Sequence, residues 1–480
     1  MFFVNMSLKL SEILKKAEYA GFLMMAACIP LSWQWASYVM VALCVIGCLK
    51  AVACRRQLPP LRFRDMLPYL LFSATFFCYL ASVAWSDDLH EAWRMVNKKL
   101  PFLVLSATFF VSRPELDGRK LRAIMWVFAG STLVMFAANL GYAAYDVIFR
   151  EFGPRRFFNM VAVNEVHHTY MAMYACMSLF FCLMELSRGK RRLHRLLSAL
   201  CSFLLAVYVV LLDSRAGQLC MLLLIVFYVL ILVFGQKRHR FGLLLLAFFC
   251  VATAATAILF PRSVSRLTQT VQSLKSETEP DSRVIISDAI RPQLGKNILF
   301  GVGCGDRMAT FISCYKVVRE RLVETVRPAP DASLETFPDD RAACMAVLDD
   351  TLCFMMVNSK QWVDSLAAEY HCDSSSLYSF FHRSSWLNYS IEYGLNPHNQ
   401  YKDTMIAVGC VGLFFLLSYF VFPVVLMWRR GKWDVLWLSL LLIVAFNALF
   451  ESVFEQQKGI LFFMFLFMLF YQKNSRDVCE

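Results

Sequence analysis

Apolar residues run along this chain in long blocks, near 19–31, 34–50, 67–84, 100–112, 122–148, 169–186, 196–212, 218–234, 241–260, 404–427, 434–450 and 459–472. A helix rises about 1.5 Å per residue, so a hydrocarbon layer of ~30 Å takes roughly 20 apolar residues. The blocks therefore predict an all-α polytopic membrane protein of about twelve transmembrane helices. The block at 100–112 is short for a crossing, and the first two blocks can form a hairpin around Pro30. Residues 261–403 break the rhythm, because they hold no run long enough to span. The expected organisation is a membrane domain over 1–260, a loop domain over 261–403 between the ninth and tenth helices, and a membrane segment over 404–480.

Inside the loop domain, 262–300 reads as loop and amphipathic helix, with Arg283, Ile286 and Ile290 near one face at helical spacing. Gly301-Val302-Gly303-Cys304-Gly305-Asp306 is a glycine-rich turn. Beyond it, polar helix-like stretches alternate with a Pro-rich acidic patch (Arg327 to Ser333, Phe337 to Asp340). No internal repeat is present.

Composition agrees with a membrane class: 58% of the 480 residues are hydrophobic and 18% charged, against about 45–50% and 25% in soluble domains. The net charge of +12 comes mostly from short Lys/Arg clusters between apolar runs, the distribution of topology signals rather than of a nucleic-acid surface. With both termini cytoplasmic, the groups at Arg55/Arg56/Arg62/Arg64, Arg113/Arg119/Lys120/Arg122, Arg188–Arg195, Lys237/Arg238/Arg240 and Arg429/Arg430/Lys432 all fall inside. The sparser loops 85–99, 149–168, 213–217, 451–458 and the large segment then fall outside. Most of the seventeen cysteines lie in apolar runs as small hydrophobes. Cys304, Cys314, Cys344, Cys353 and Cys372 lie in the outer segment, where an oxidising compartment permits pairing, though five cannot all pair.

Three sites put charge where a membrane protein usually avoids it. Arg215 stands in Asp213-Ser214-Arg215-Ala216-Gly217, a very short outer connection; it can pair with Asp213, snorkel to lipid phosphate, or hold an anionic ligand. Arg283, in Asp281-Ser282-Arg283, offers a planar fork suited to phosphate oxygens, and the glycine-rich turn downstream could bring backbone N–H groups to an anion, or be only a turn. His398, in Asn396-Pro397-His398-Asn399-Gln400-Tyr401, opens an apolar helix containing Gly409 and Gly412. Imidazole titrates near 6.5 in water, so this residue suits a general base acting on a hydroxyl, or else a helix-capping role. His167 and His168 open another outer helix end; with Glu165 they could bind a metal, but adjacent helical residues diverge, and no metal or cofactor is expected.

The order Ser-Arg-Ala-Gly at a helix start, then Arg with a downstream Gly-x-Gly, then Pro-His-Asn-x-Tyr leading into a Gly-x-x-Gly helix resembles the O-antigen ligase family, over about 160–470. The related O-antigen polymerases share the layout. The resemblance implies a GT-C-like fold with a large periplasmic loop, in the bacterial inner membrane. It implies an inverting, metal-independent transfer of a glycan from undecaprenyl pyrophosphate to lipid A core on the periplasmic face. By the same likeness Arg215 and Arg283 match diphosphate-binding arginines and His398 the catalytic histidine, with His167, His168, Asn399 and Tyr401 as supporting candidates. The stretch between Asp306 and Tyr393 is longer than the family's usual loop, which bears on acceptor choice. An O-antigen polymerase, with a lipid-linked acceptor, and a polysaccharide or lipid transporter remain alternatives; transporters tend to carry repeats and mid-membrane helix breaks.

Overall fold

The computed structural model describes residues 2–54, 63–151, 153–157, 166–235, 281–324 and 374–476, with isolated positions between 239 and 249 and at 364 and 368. The Pro-rich acidic patch, most of the apolar block at 241–260, Arg55, Arg56, Arg62, Lys237 and Arg238 lie outside the described residues. Among the described residues every regular element is helical. The chain divides into two compact units, one of Met1–Ala81, Trp93–Ile258 and Val411–Glu480, the other of Ser82–Ala92 and Leu259–Cys410.

The first unit is built from α1 (Phe2–Leu31), α2 (Trp33–Ala53), α3 (Phe63–Ser82) as far as Ala81, α4 (Leu89–Ser112) from Trp93 onward, α5 (Gly118–Phe149), α6 (His168–Arg188), α7 (Arg192–Leu211) and α8 (Arg215–Leu230). It also takes the later part of α12 (Gln400–Arg430), then α13 (Val435–Asn447) and α14 (Gln457–Arg476). A helix that is apolar all round must be buried. That is the state of α6, whose residues Thr169–Glu185 are all buried, and of α14 over Ile460–Tyr471. The helices α5, α7, α8 and α13 pack around α6. The outer helices show the reverse. On α2, Tyr38, Val41, Val45, Leu49 and Val52 form an exposed stripe at helical spacing, and on α7 Leu193, Leu196, Leu197, Leu200 and Phe203 do the same. A soluble monomer rarely exposes contiguous apolar patches of this kind, whereas hydrocarbon covers them without penalty. Seven described helices are long and apolar enough to cross a membrane: α2, Met66–Trp85, α5, α6, α7, Arg215–Gly235 and α12. The chain is a helical membrane protein.

The other apolar blocks have varied settings. Block 19–31 is the second half of α1, which meets α2 in a hairpin with Ser32 alone between them; its hydroxyl accepts from the Trp35 N–H (3.4 Å). Glu18 and Lys50 pair across that hairpin at 2.5 Å, both buried. Block 100–112 is the second half of α4, whose first half brings Lys99 into the interior. Blocks 434–450 and 459–472 lie on the 13-residue α13 and on α14.

The second unit holds α9 (Ser282–Ile290), α10 (Arg307–Glu324), α11 (Ser374–Tyr393) and the opening turns of α12. Ile285, Ile286, Ala289 and Ile290 of α9, Phe311 and Tyr315 of α10, Leu387 of α11 and Ile406 of α12 form its core. Residues 298–303 run beside α12 and break it. In an unbroken helix the Cys410 N–H would bond to the Ile406 carbonyl. Here the Cys410 N–H donates to Ile298 O (2.7 Å), and Ile406 O accepts from the Val302 N–H (2.8 Å). Ala407 O likewise accepts from the Gly303 N–H (3.1 Å). Gly409 sits at the break with φ 67° and ψ −163°, a region open almost only to glycine. A Cβ there would fall on the Leu299 carbonyl, and one on Gly301 would lie 2.5 Å from Ile406 O. Gly409→Ala is therefore expected to destabilise the protein by about 1–3 kcal/mol from backbone strain, plus the clash. Thermal unfolding in detergent checks this, with Gly412→Ala as the comparison inside the same helix.

That arrangement decides between the two readings of the glycine-rich turn. The glycine-rich turn does not hold its N–H groups out for an anion. Gly301 donates to Asn297 O, Val302 and Gly303 to α12, Cys304 to Ser82 Oγ (3.3 Å) and Gly305 to Ser86 Oγ (3.1 Å). The turn is a splice between backbone segments. Cys304 is buried, its thiol donating to Ala92 O (3.7 Å), and Cys314 is half-buried; Cys344, Cys353 and Cys372 lie outside the described residues.

Candidate functional site

In the second unit, the approach to His398 is fixed residue by residue. The Tyr315 hydroxyl donates to Leu395 O (3.0 Å). Burial, reinforced by the Asp403 carboxylate, pushes the Tyr315 phenol above its ordinary pKa, so it stays a donor. Pro397 is buried, and the Asn396 side-chain oxygen accepts from the His398 N–H (3.0 Å), an Asx turn. His398 takes φ 46°, the left-handed region that bulky side chains avoid, and is half-buried. Asn399 then caps α12: its side-chain oxygen accepts from the Lys402 N–H (3.0 Å), which gives this residue a structural role. Tyr401 is half-buried in the first turn.

Two side chains of that first turn reach elsewhere in the unit. Lys402 Nζ donates to Ser287 Oγ on α9. Asp403, fully buried, pairs with Arg307 of α10 (Oδ1 to Nη1, 2.5 Å), whose guanidinium also lies 5.8 Å from the Phe311 ring centre. Asp281 caps α9 by accepting from the Arg283 N–H (3.0 Å). Arg283 is half-buried and precedes Ser287 by one helical turn, on the same face. The Lys402–Ser287 bond thus ties the helix carrying Arg283 to the turn that follows His398.

Arg215, His167 and His168 belong to the first unit. Arg215 is the first residue of α8, after Asp213 (φ 51°) and the cap Ser214, whose hydroxyl accepts from the Gly217 N–H (3.2 Å). Gly217 is needed because α8 meets α6 there: a Cβ would lie 2.5 Å from that of Ala172. Ala172 is four residues from His168, so His168 and Arg215 stand at the same end of the α6–α8 pair. His167 caps α6, its Nδ1 accepting from the Thr169 N–H (3.5 Å), with the two imidazole centres 3.9 Å apart. Glu165 lies outside the described residues; among those described, no group of three His, Cys, Asp or Glu side chains is placed to hold a metal.

Sequence reading missed the buried polar pairs. Lys99 of α4 bonds Glu455 (2.7 Å) and Phe454 O (2.5 Å) and lies 4.5 Å from the Tyr79 ring centre, fully enclosed. Tyr170 donates to Ser452 O and Val453 O, and Lys458 lies over its ring at 5.5 Å. The available signal was a lysine adjoining one apolar run and a glutamate in the short connection between two others, since charges at membrane depth mark paired or functional positions. Neither protein-family models nor curated proteins match the chain.

Proposed function

We propose that this chain is a glycosyltransferase of the O-antigen ligase type in the bacterial inner membrane. In this reading it has about twelve spans in a GT-C-like arrangement, cytoplasmic termini and a periplasmic active site. The donor is a glycan on undecaprenyl pyrophosphate, and the acceptor a hydroxyl of lipid A core. His398 takes the acceptor proton as the oxygen attacks the anomeric carbon. The bond from that carbon to the diphosphate oxygen breaks, its electron pair leaves with undecaprenyl pyrophosphate, and the anomeric centre inverts. Arg215 and Arg283 hold the diphosphate and stabilise the charge it gains. The observation that carries the reading is the strained, Asx-locked His398 at the mouth of α12, in the same compact unit as Arg283. Strain of this kind persists where the surroundings enforce it, often at active sites.

Reconstitution with a defined lipid-linked glycan and purified lipid A core tests the reading. Glycan on the core is expected. Product found only on the lipid carrier would make the chain an O-antigen polymerase instead, and no transfer to either acceptor would overturn the enzymatic reading. In the same assay Arg283→Lys should lower the initial rate about tenfold, since a point charge does not replace a two-pronged donor. A rate equal to wild type would remove Arg283 from the diphosphate site.

A further inference from the structure

The first unit has a second charged site, far along α6 from His168. At 1.5 Å per residue the 21-residue helix carries Arg188 about 30 Å from His168, one hydrocarbon thickness away. There the start of α5, the end of α6, the start of α13 and the end of α14 surround a cavity of about 780 Å³. Five cations line it, Arg119, Arg122, Arg188, Lys432 and Lys473, against three carboxylates, Asp117, Glu185 and Asp434.

The carboxylates are already engaged. Asp434 accepts from Lys473 (2.8 Å), from Asn474 (3.0 Å) and from the N–H groups of Leu436 and Trp437. Glu185 is held between Arg122 and His194, each at 3.1 Å. Asp117 caps α5 by accepting from the Lys120 N–H (2.7 Å). Five cations against three carboxylates leave the lining net positive, with Arg119 and Arg188 exposed at its edge. Among the charges stand Leu121, Met125, Phe181, Met184 and Leu436, all buried in the protein, with exposed Trp433 at the edge of the stretch. Tryptophan is enriched at headgroup level, the depth of lipid phosphates.

We propose that this cavity binds the phosphate headgroup of an anionic membrane phospholipid. Basic pockets between membrane helices suit such headgroups, and each cation near the surface adds to the attraction. The site is separate from the proposed transfer reaction and is read by lipid retention rather than by activity. The full chain in detergent is titrated with phosphatidylglycerol, phosphatidylcholine or inorganic phosphate, following Tm and lipid retained in native mass spectrometry. Phosphatidylglycerol should raise Tm and be retained, and phosphatidylcholine should do neither. The double variant R119Q/R188Q should weaken phosphatidylglycerol binding roughly thirtyfold. R119K/R188K should keep most of it, and R191Q/R192Q, exposed at the start of α7, should leave it unchanged. Any of four results overturns the proposal: equal effects of the two lipids, a full Tm shift with inorganic phosphate alone, unchanged binding in R119Q/R188Q, or equal losses in R119Q/R188Q and R119K/R188K.

Discussion

His398→Ala is expected to lower glycan transfer by about 10²–10⁴-fold, the range a positioned general base supplies. Alanine is an imperfect probe at this position, because residue 398 holds φ 46° and the left-handed region strains most side chains. Asparagine tolerates that conformation and has no titrating nitrogen. His398→Asn should therefore preserve Tm while losing transfer to the same extent. The measurement is an initial rate with saturating donor and acceptor, beside a melting curve for each variant. Full transfer by His398→Asn would sink the proposed mechanism. Loss of transfer with an equal loss of Tm in both variants would instead make the histidine a structural element of the turn.

Asp403→Ala is expected to destabilise the protein by about 3–5 kcal/mol, the cost of removing one partner of a buried ion pair. The side chains of Arg307 and Asp403 are 5% and 0% exposed, so the guanidinium would lose its carboxylate in a poorly solvated setting. The pair joins α10 to the first turn of α12, and the effect should appear as faster proteolysis in the second unit as well as a lower Tm. Replacing both members together tests the cause. If the penalty arises from an uncompensated charge, Arg307→Met with Asp403→Leu should recover most of the loss, because apolar pairs often substitute for buried ion pairs. A double variant as unstable as Asp403→Ala would mean that the two positions serve shape rather than charge compensation.

What the sequence disclosed followed local periodicity. The apolar block 169–186 marked a helix, which the structure buries throughout, and the spacing of Arg283, Ile286 and Ile290 marked an amphipathic one, whose two isoleucines lie in the core of the second unit. His398 could be placed at a helix mouth because Pro397 and Asn399 punctuate the chain there. The rest depended on partners distant in sequence. Lys99 sat in what read as an outer loop, and Glu455, 356 residues on, draws it into the interior. The glycines at 301 and 303 are ambiguous alone, because φ > 0 serves an anion cradle and a backbone splice equally well. Gly409 decides between them, by letting 298–303 take over hydrogen bonds of α12. No local pattern ties Arg283 to the His398 turn either; the Lys402–Ser287 bond does so across 115 positions.

The composition of the second unit limits how the chain can be taken apart. Residues 82–92 contribute the Ser82 and Ser86 hydroxyls that receive the Cys304 and Gly305 N–H groups, and the Asp87 and Asp88 N–H groups that the Asp306 carboxylate receives at 2.8 and 2.9 Å. Excising 261–403 as a secreted fragment would strip all four of these partners away. It would also remove Ile406, Ala407 and Cys410, leaving 298–303 with no backbone to pair with. The segment that looks most like a detachable soluble domain is, in its hydrogen bonding, one piece with residues 82–92 and the opening turns of α12. Antigen design, epitope tagging and domain exchange should keep those two stretches with it and place their changes elsewhere.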